Sequence, residues 1–131
     1  MRLEDFLAEN TEFKSFEKGS LVFSSGDQAE AAFYIIEGKV EVFQDLEEGD
    51  AVMATLGPDE IFGEMALLRF DEYTLSARAM EDTKAFVITP DLLQEQIRQT
   101  HPLIKAILDM LLDRIHNVNE VLIDIDRMNK A

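Results

Sequence analysis

The sequence contains no cysteine. That excludes disulfides, thiolate zinc sites, iron–sulfur clusters and a cysteine nucleophile. Histidine is nearly absent as well. The only two, His101 and His116, fall in the C-terminal third, too far apart to share a helical face as a metal pair. No metal site is expected. Basic side chains are scarce: 12 Lys and Arg stand against 27 Asp and Glu, for a formal net charge of −15. Such a surface repels nucleic acid and anionic membranes, whose binding depends on cationic groups neutralising phosphates. Long apolar runs are missing too. Arg2 is followed by Glu4 and Asp5 rather than a signal-peptide core, and no segment approaches the length of a membrane span. No Ser-His-Asp or phosphate-loop spacing occurs, so no enzyme is expected. These absences leave a soluble cytoplasmic protein without catalysis, metal, nucleic acid or membrane contact.

What is present suffices for one packed domain. The chain has 131 residues, 47% of them hydrophobic. Leu3, Phe6 and Leu7 lie at helical spacing and predict a short amphipathic helix closing near Asn10. The period then changes. Phe13, Phe16, Leu21 and Phe23 predict short strands around a Lys18-Gly19 turn, and Ser24-Ser25-Gly26-Asp27 is a strong turn signal. Strands are expected at Phe33-Tyr34-Ile35-Ile36, Val40-Glu41-Val42-Phe43 and Ala51 to Leu56, with a reversal over Leu46 to Asp50. Two more follow, at Leu75 to Ala79 and Lys84 to Ile88. Many short strands with frequent turn signals argue for an all-β sandwich or barrel.

From Thr89 the pattern becomes helical. Thr89 or Asp91 can cap a helix carrying Pro90 in its first turn, and Thr100-His101-Pro102 breaks it. No proline or glycine interrupts the chain from there to Met128. Ile104, Leu111, Val118 and Ile125 recur every seven residues, with Ile107, Val121 and Met128 three positions after members of that row. Leu108, Ile115 and Leu122 form a third row. Two rows suit a coiled-coil homodimer, and the third suggests packing on the barrel as well. The expected division is a β-roll with flanking short helices over residues 1–100 and a dimerisation helix over 101–131.

At mid-sequence stands Phe62-Gly63-Glu64-Met65-Ala66-Leu67-Leu68, preceded by Gly57-Pro58-Asp59. Gly63 frees the backbone for a close approach, and good helix formers follow. The unpaired N–H groups of a helix start form a cradle for an anion, although the same pattern serves a loop-to-helix plug at a barrel end.

The order of parts resembles the cyclic nucleotide-binding domain, and most of all the sensor halves of catabolite activator (Crp/Fnr-type) regulators. Carrying the resemblance are Phe16-Glu17-Lys18-Gly19, Val22 to Asp27, Phe33 to Val42 and Phe62 to Leu68. It implies an α+β, mainly β fold: a double-stranded β-helix or jelly-roll barrel with a short N-terminal helix, a short insert helix and a long C-terminal helix. It implies that Gly63, Glu64, Met65 and Ala66 belong to a phosphate-binding cassette, with Glu64 taking a ribose hydroxyl. The ligand would be a cyclic nucleotide or other small anion. On the long helix, Asn117, Asn119 and Glu120 fall where the family contacts the base.

Two departures stand out. Counting without gaps, the family's phosphate-clamp arginine is Tyr73 here, followed by Thr74. A guanidinium grips phosphate bidentately with permanent charge, and losing one partner of a buried charged pair costs about 2–5 kcal/mol. A neutral hydroxyl returns only about 0.5–1.5 kcal/mol. Ordinary cAMP or cGMP binding is therefore expected to be weakened or lost unless Arg69 or Arg78 substitutes; a ligand-free interaction module is the alternative. Second, such regulators carry a winged helix-turn-helix after the long helix, and nothing basic replaces it before Ala131. No DNA-binding domain is expected in this chain.

Overall fold

The structure is a computed structural model that describes residues 2–69 and 71–129, with side chains up to Ile115. The backbone divides into two compact units, residues 1–93 and 94–131. In the first unit α1 (Leu3–Asn10) leads into β1 (Phe13–Phe16), β2 (Leu21–Phe23), β3 (Ala32–Glu37), β4 (Val40–Leu46), β5 (Gly49–Leu56) and β6 (Ile61–Phe62). After α2 (Glu64–Arg69) come β7 (Ser76–Ala79), β8 (Thr83–Ile88) and the start of α3 (Pro90–Arg98). The second unit holds the end of α3 and the long α4 (Pro102–Asn129).

Two antiparallel four-stranded sheets form the roll, one ordered β1-β8-β3-β6 and the other β2-β7-β4-β5. The mainly β, jelly-roll expectation is met. Side chains alternate across a strand, and the alternation of β3 and β8 sorts them into two apolar layers. Phe33 and Ile35 join Phe16, Val40, Phe62, Ala77 and Ala79 inside the roll. Tyr34, Phe86 and Ile88 face outward and pack with Leu7 of α1, Leu67 of α2, and Leu92 and Leu93 of α3. A strand covered on both faces needs a continuous apolar run, which is why Ala32 to Ile36 lacks the polar alternation of a surface strand.

Turns hold the strands in register. At Gly38 φ is +104°, and the Thr83 hydroxyl accepts from the Lys39 N–H at 3.2 Å and donates to the Glu81 carbonyl at 2.8 Å. The Leu46–Asp50 reversal is tighter than expected: β4 runs to Leu46 and β5 begins at Gly49, leaving Glu47-Glu48 as the turn. β6 was not anticipated. Its two residues pair with Phe33 and Tyr34, a contact that turn-rich sequence around it conceals.

Thr89 caps α3 through its hydroxyl, which accepts from the Leu92 N–H at 3.2 Å. Along α4, Ile104, Ile107, Leu111 and Ile115 are exposed, Leu108 is half-buried and Leu112 is buried. Leu112 belonged to none of the three predicted rows, and Ile115 of the third row is exposed. The side chains of Val118, Val121, Leu122, Ile125 and Met128 lie outside the described residues, as do those of His116, Asn117, Asn119 and Glu120. Among the described residues no helix is long and apolar enough to cross a membrane, and no group of three or more metal-ligating side chains occurs.

Candidate functional site

β6 delivers the chain to Gly63, where φ is +80° and the backbone swings into α2. A Cβ added at Gly63 would sit 3.2 Å from Phe23 Cε2, 3.3 Å from the Ala31 carbonyl oxygen and 3.5 Å from Tyr73 Cε1. The left-handed backbone favours glycine, and the tight surroundings add to that preference. α2 has six residues and is pinned from outside by Leu67, whose N–H reaches the Gly63 carbonyl at 3.4 Å. Glu64 opens the helix and is half-buried. Desolvation raises its pKa above the ordinary 4.5, partly offset by a hydrogen bond from its own backbone N–H. Met65 and Ala66 complete the first turn, also half-buried.

Beyond α2 the chain reaches Tyr73, and here the structure supplies what the sequence did not. The ring is 6% exposed and lies face to face on Phe23, centroids 3.7 Å apart with planes at 6°. Its hydroxyl donates to the Ala31 carbonyl and accepts from the Ala31 N–H at 3.3 Å. Burial raises its pKa; hydrogen bonds to backbone at Ala31 and Glu30 oppose the shift, and the Glu30 and Asp27 charges add to it. The residue thus extends the aromatic core of Phe23, Phe33, Phe62 and Phe16 rather than presenting a donor to solvent.

The surrounding backbone is laced to the β2–β3 loop. Tyr73 N–H donates to the Asp27 carbonyl at 2.9 Å, and Gly26 N–H to the Tyr73 carbonyl at 2.8 Å. Ala29 N–H reaches the Asp71 carbonyl at 3.1 Å, and Ser25 N–H the Ser76 hydroxyl at 2.9 Å. Thr74 is exposed, and its carbonyl accepts from the Ser25 hydroxyl at 3.2 Å. Gly63 and Tyr73 are thus brought together at one end of the roll, while Thr74 turns to the surface.

The two candidate substitute arginines differ. Arg69 closes α2 and is half-buried. Arg78 sits between Ala77 and Ala79 on β7; because both alanines point into the roll, strand alternation sends Arg78 outward. There it lies 4.3 Å from the Phe43 ring centroid, 2.8 Å from Asp50 and 3.7 Å from Glu41. It is engaged on the opposite face of its sheet. Phe70 and Asn119 lie outside the described residues and side chains.

Residues 13–100 match the cyclic nucleotide-binding domain, and the chain belongs to that family. Over 74 residues it is 38% identical to the cyclic AMP receptor protein of Thermus thermophilus, an alignment covering 56% of this chain and 34% of that one. It is 26% identical over 111 residues to the CRP-like cAMP-activated global transcriptional regulator of Mycobacterium tuberculosis, covering 84% of this chain and 50% of the other. Among solved structures, the Thermus thermophilus catabolite activator protein superposes with a TM-score of 0.72 at 30% identity, over 95% of this chain and 60% of that one. The EAL enzyme Bd1971, in its cAMP and cyclic-di-GMP bound form, gives 0.77 at 26% identity, over 90% and 31%. The chain spans half or less of the length of these curated relatives. Its class is therefore that of a cyclic nucleotide-binding regulatory domain of the Crp type.

Proposed function

We propose that this chain is a regulatory domain in which the cyclic nucleotide site has been closed by its own tyrosine, so that cAMP and cGMP bind weakly or not at all. The observation that carries the reading is Tyr73: where the family resemblance puts a phosphate-gripping arginine, a buried ring is stacked on Phe23 and tied to Ala31. Two further features support it. Arg78 is engaged outside the roll with Asp50 and Glu41, and Asp71 and Glu72 are exposed beside Tyr73. An anionic ligand entering such a place gains no permanent countercharge from position 73.

Titration calorimetry with cyclic AMP and cyclic GMP on the native chain and on Tyr73→Arg tests this. The arginine should strengthen binding by at least about thirtyfold, the low end of the roughly 2–5 kcal/mol that a restored buried charge pair supplies. Micromolar cyclic AMP binding by the native chain would defeat the proposal.

The domain is further proposed to act as a homodimer through α4, where Ile104, Ile107 and Leu111 are 54%, 46% and 47% exposed. A stripe of large apolar side chains at helical spacing suits a second copy of the same helix. Light scattering should show a dimer for the native chain and a monomer for Leu111→Glu. An unchanged mass for the variant would remove α4 from the interface.

A further inference from the structure

The Tyr73–Phe23 stack also forms the floor of a second opening. A cavity of about 530 Å³ lies between β1 and β2, the edge strands of the two sheets, within the size range of small-molecule sites. Phe23, Phe33 and Tyr73 make its apolar floor, and Lys14, Asp27 and Glu30 stand at its rim. None of Gly63, Glu64, Met65 and Ala66 lines it, but Phe23, Ala31 and Tyr73, which do, also pack around Gly63. An aromatic floor with a few charged groups at one end is the composition of a site for a flat molecule carrying a charge.

The sign of that charge follows from the rim. Two carboxylates oppose one ammonium, on a chain of net charge −15. Asp27 uses one oxygen to accept from the Ser24 N–H at 3.2 Å, and Glu30 has no ion pair among the described residues. Lys14 is drawn toward Phe16, its Nζ 5.3 Å from the ring centroid. Burial is the main cause that raises the Tyr73 pKa, and the nearby charges of Glu30 and Asp27 add to it. The floor therefore sits in a negative field, which disfavours a phosphate or carboxylate and favours a cation over aromatic rings.

We propose that this slit binds a small aromatic amine, its ring against the Phe23, Phe33 and Tyr73 floor and its ammonium toward Glu30 and Asp27. Occupancy loads the same stack that seats Tyr73 and its strap to the β2–β3 loop, which rests on the proposed closure by Tyr73 and couples this opening to it.

Amide NMR on the full chain tests the site with three isosteric probes: phenethylamine, phenethyl alcohol and phenylacetate. The amine should give saturable shifts centred on Ala31, Phe33, Tyr73 and Val87, the alcohol weaker ones and the anion the weakest. Both Glu30 and Lys14 are exposed, so their substitution leaves the core intact. Glu30→Gln should weaken phenethylamine about two- to fivefold and Lys14→Gln should strengthen it by a similar factor, as befits solvent-screened charges. Equal response to all three probes, shifts centred elsewhere, no saturation, or variants that fail to move in opposite directions would overturn the assignment. Cyclic AMP titrated separately reads the cassette, and its result leaves the ranking of the three probes untouched.

Discussion

Replacing Tyr73 by phenylalanine removes one oxygen and keeps the ring, which isolates the hydroxyl's contribution to seating that ring. Ala31 is 8% exposed, and it loses both a donor to its carbonyl and an acceptor for its N–H. A net intramolecular hydrogen bond contributes about 0.5–1.5 kcal/mol, and a buried backbone group left unpaired costs about 1–3 kcal/mol. The stack on Phe23 survives, so no cavity penalty is added. The expected loss for Tyr73→Phe is roughly 1.5–3 kcal/mol. For a domain of this length, that corresponds to a fall in melting temperature of about 5–12 °C. Urea unfolding should show a lower midpoint with an unchanged slope, since the surface exposed on unfolding is the same. Tyr34→Phe supplies the comparison. The Tyr34 hydroxyl donates at 2.8 Å to Asp59, an exposed carboxylate that water can satisfy, so its loss should be about 1 kcal/mol or less. If Tyr73→Phe costs under about 0.5 kcal/mol, or no more than Tyr34→Phe, the Ala31 tie is not what seats the ring.

Two further outcomes follow from the same geometry. Desolvation raises the Glu64 pKa above 4.5, so between that value and the folded-state value the native protein holds a proton that the unfolded chain has released; stability therefore falls as pH rises through the window. Thermal melts should find Glu64→Gln more stable than the native chain at neutral pH, with the gap closing as pH drops below 4.5; a gap that widens in acid would reverse the sign of the argument. At Gly38 an added Cβ would lie 2.4 Å from Thr83 Oγ1 and 2.6 Å from Thr83 Cα, with φ already at +104°. Gly38→Ala should cost roughly 3 kcal/mol or more by urea unfolding, whereas Gly26→Ala meets nothing within 4 Å and should cost only its backbone strain, roughly 1 kcal/mol.

The jelly-roll was legible because its strands are punctuated by residues with a mechanical reason to turn, such as Gly38 and the Ser24–Asp27 stretch. The limits of legibility were also physical. Residues Ile61 and Phe62 are too few to show a period, and they become a strand only because Phe33 and Tyr34 offer a free edge. The reversal at Leu46 to Asp50 was legible, but its two-residue length at Glu47-Glu48 was not, because backbone pairing, not hydrophobicity, sets register at an exposed hairpin end. On α4, heptad counting found exposed rows but passed over buried Leu112, which lies one helical turn beyond half-buried Leu108. Arg78 was decidable from strand parity once Ala77 and Ala79 were assigned to the core.

Position 73 is the instructive case. A sequence count shows that arginine is missing there, but not where a replacement ring goes. Tyr73 is flanked by Glu72 and Thr74, both exposed, so no local apolar signal announces a core residue. Its partners are Phe23 and Ala31, over forty positions away, and only the folded chain reveals them. Gly63 then takes on a different meaning. Read from the sequence, it is the glycine that lets backbone approach a phosphate. In the structure its missing Cβ leaves room for Phe23, the Ala31 carbonyl and Tyr73, all within 3.5 Å of where that atom would stand. The left-handed backbone and these tight contacts together favour glycine here, with or without a ligand. The cassette motif identifies the fold for that reason, and the question of what it binds passes to Tyr73 beside it.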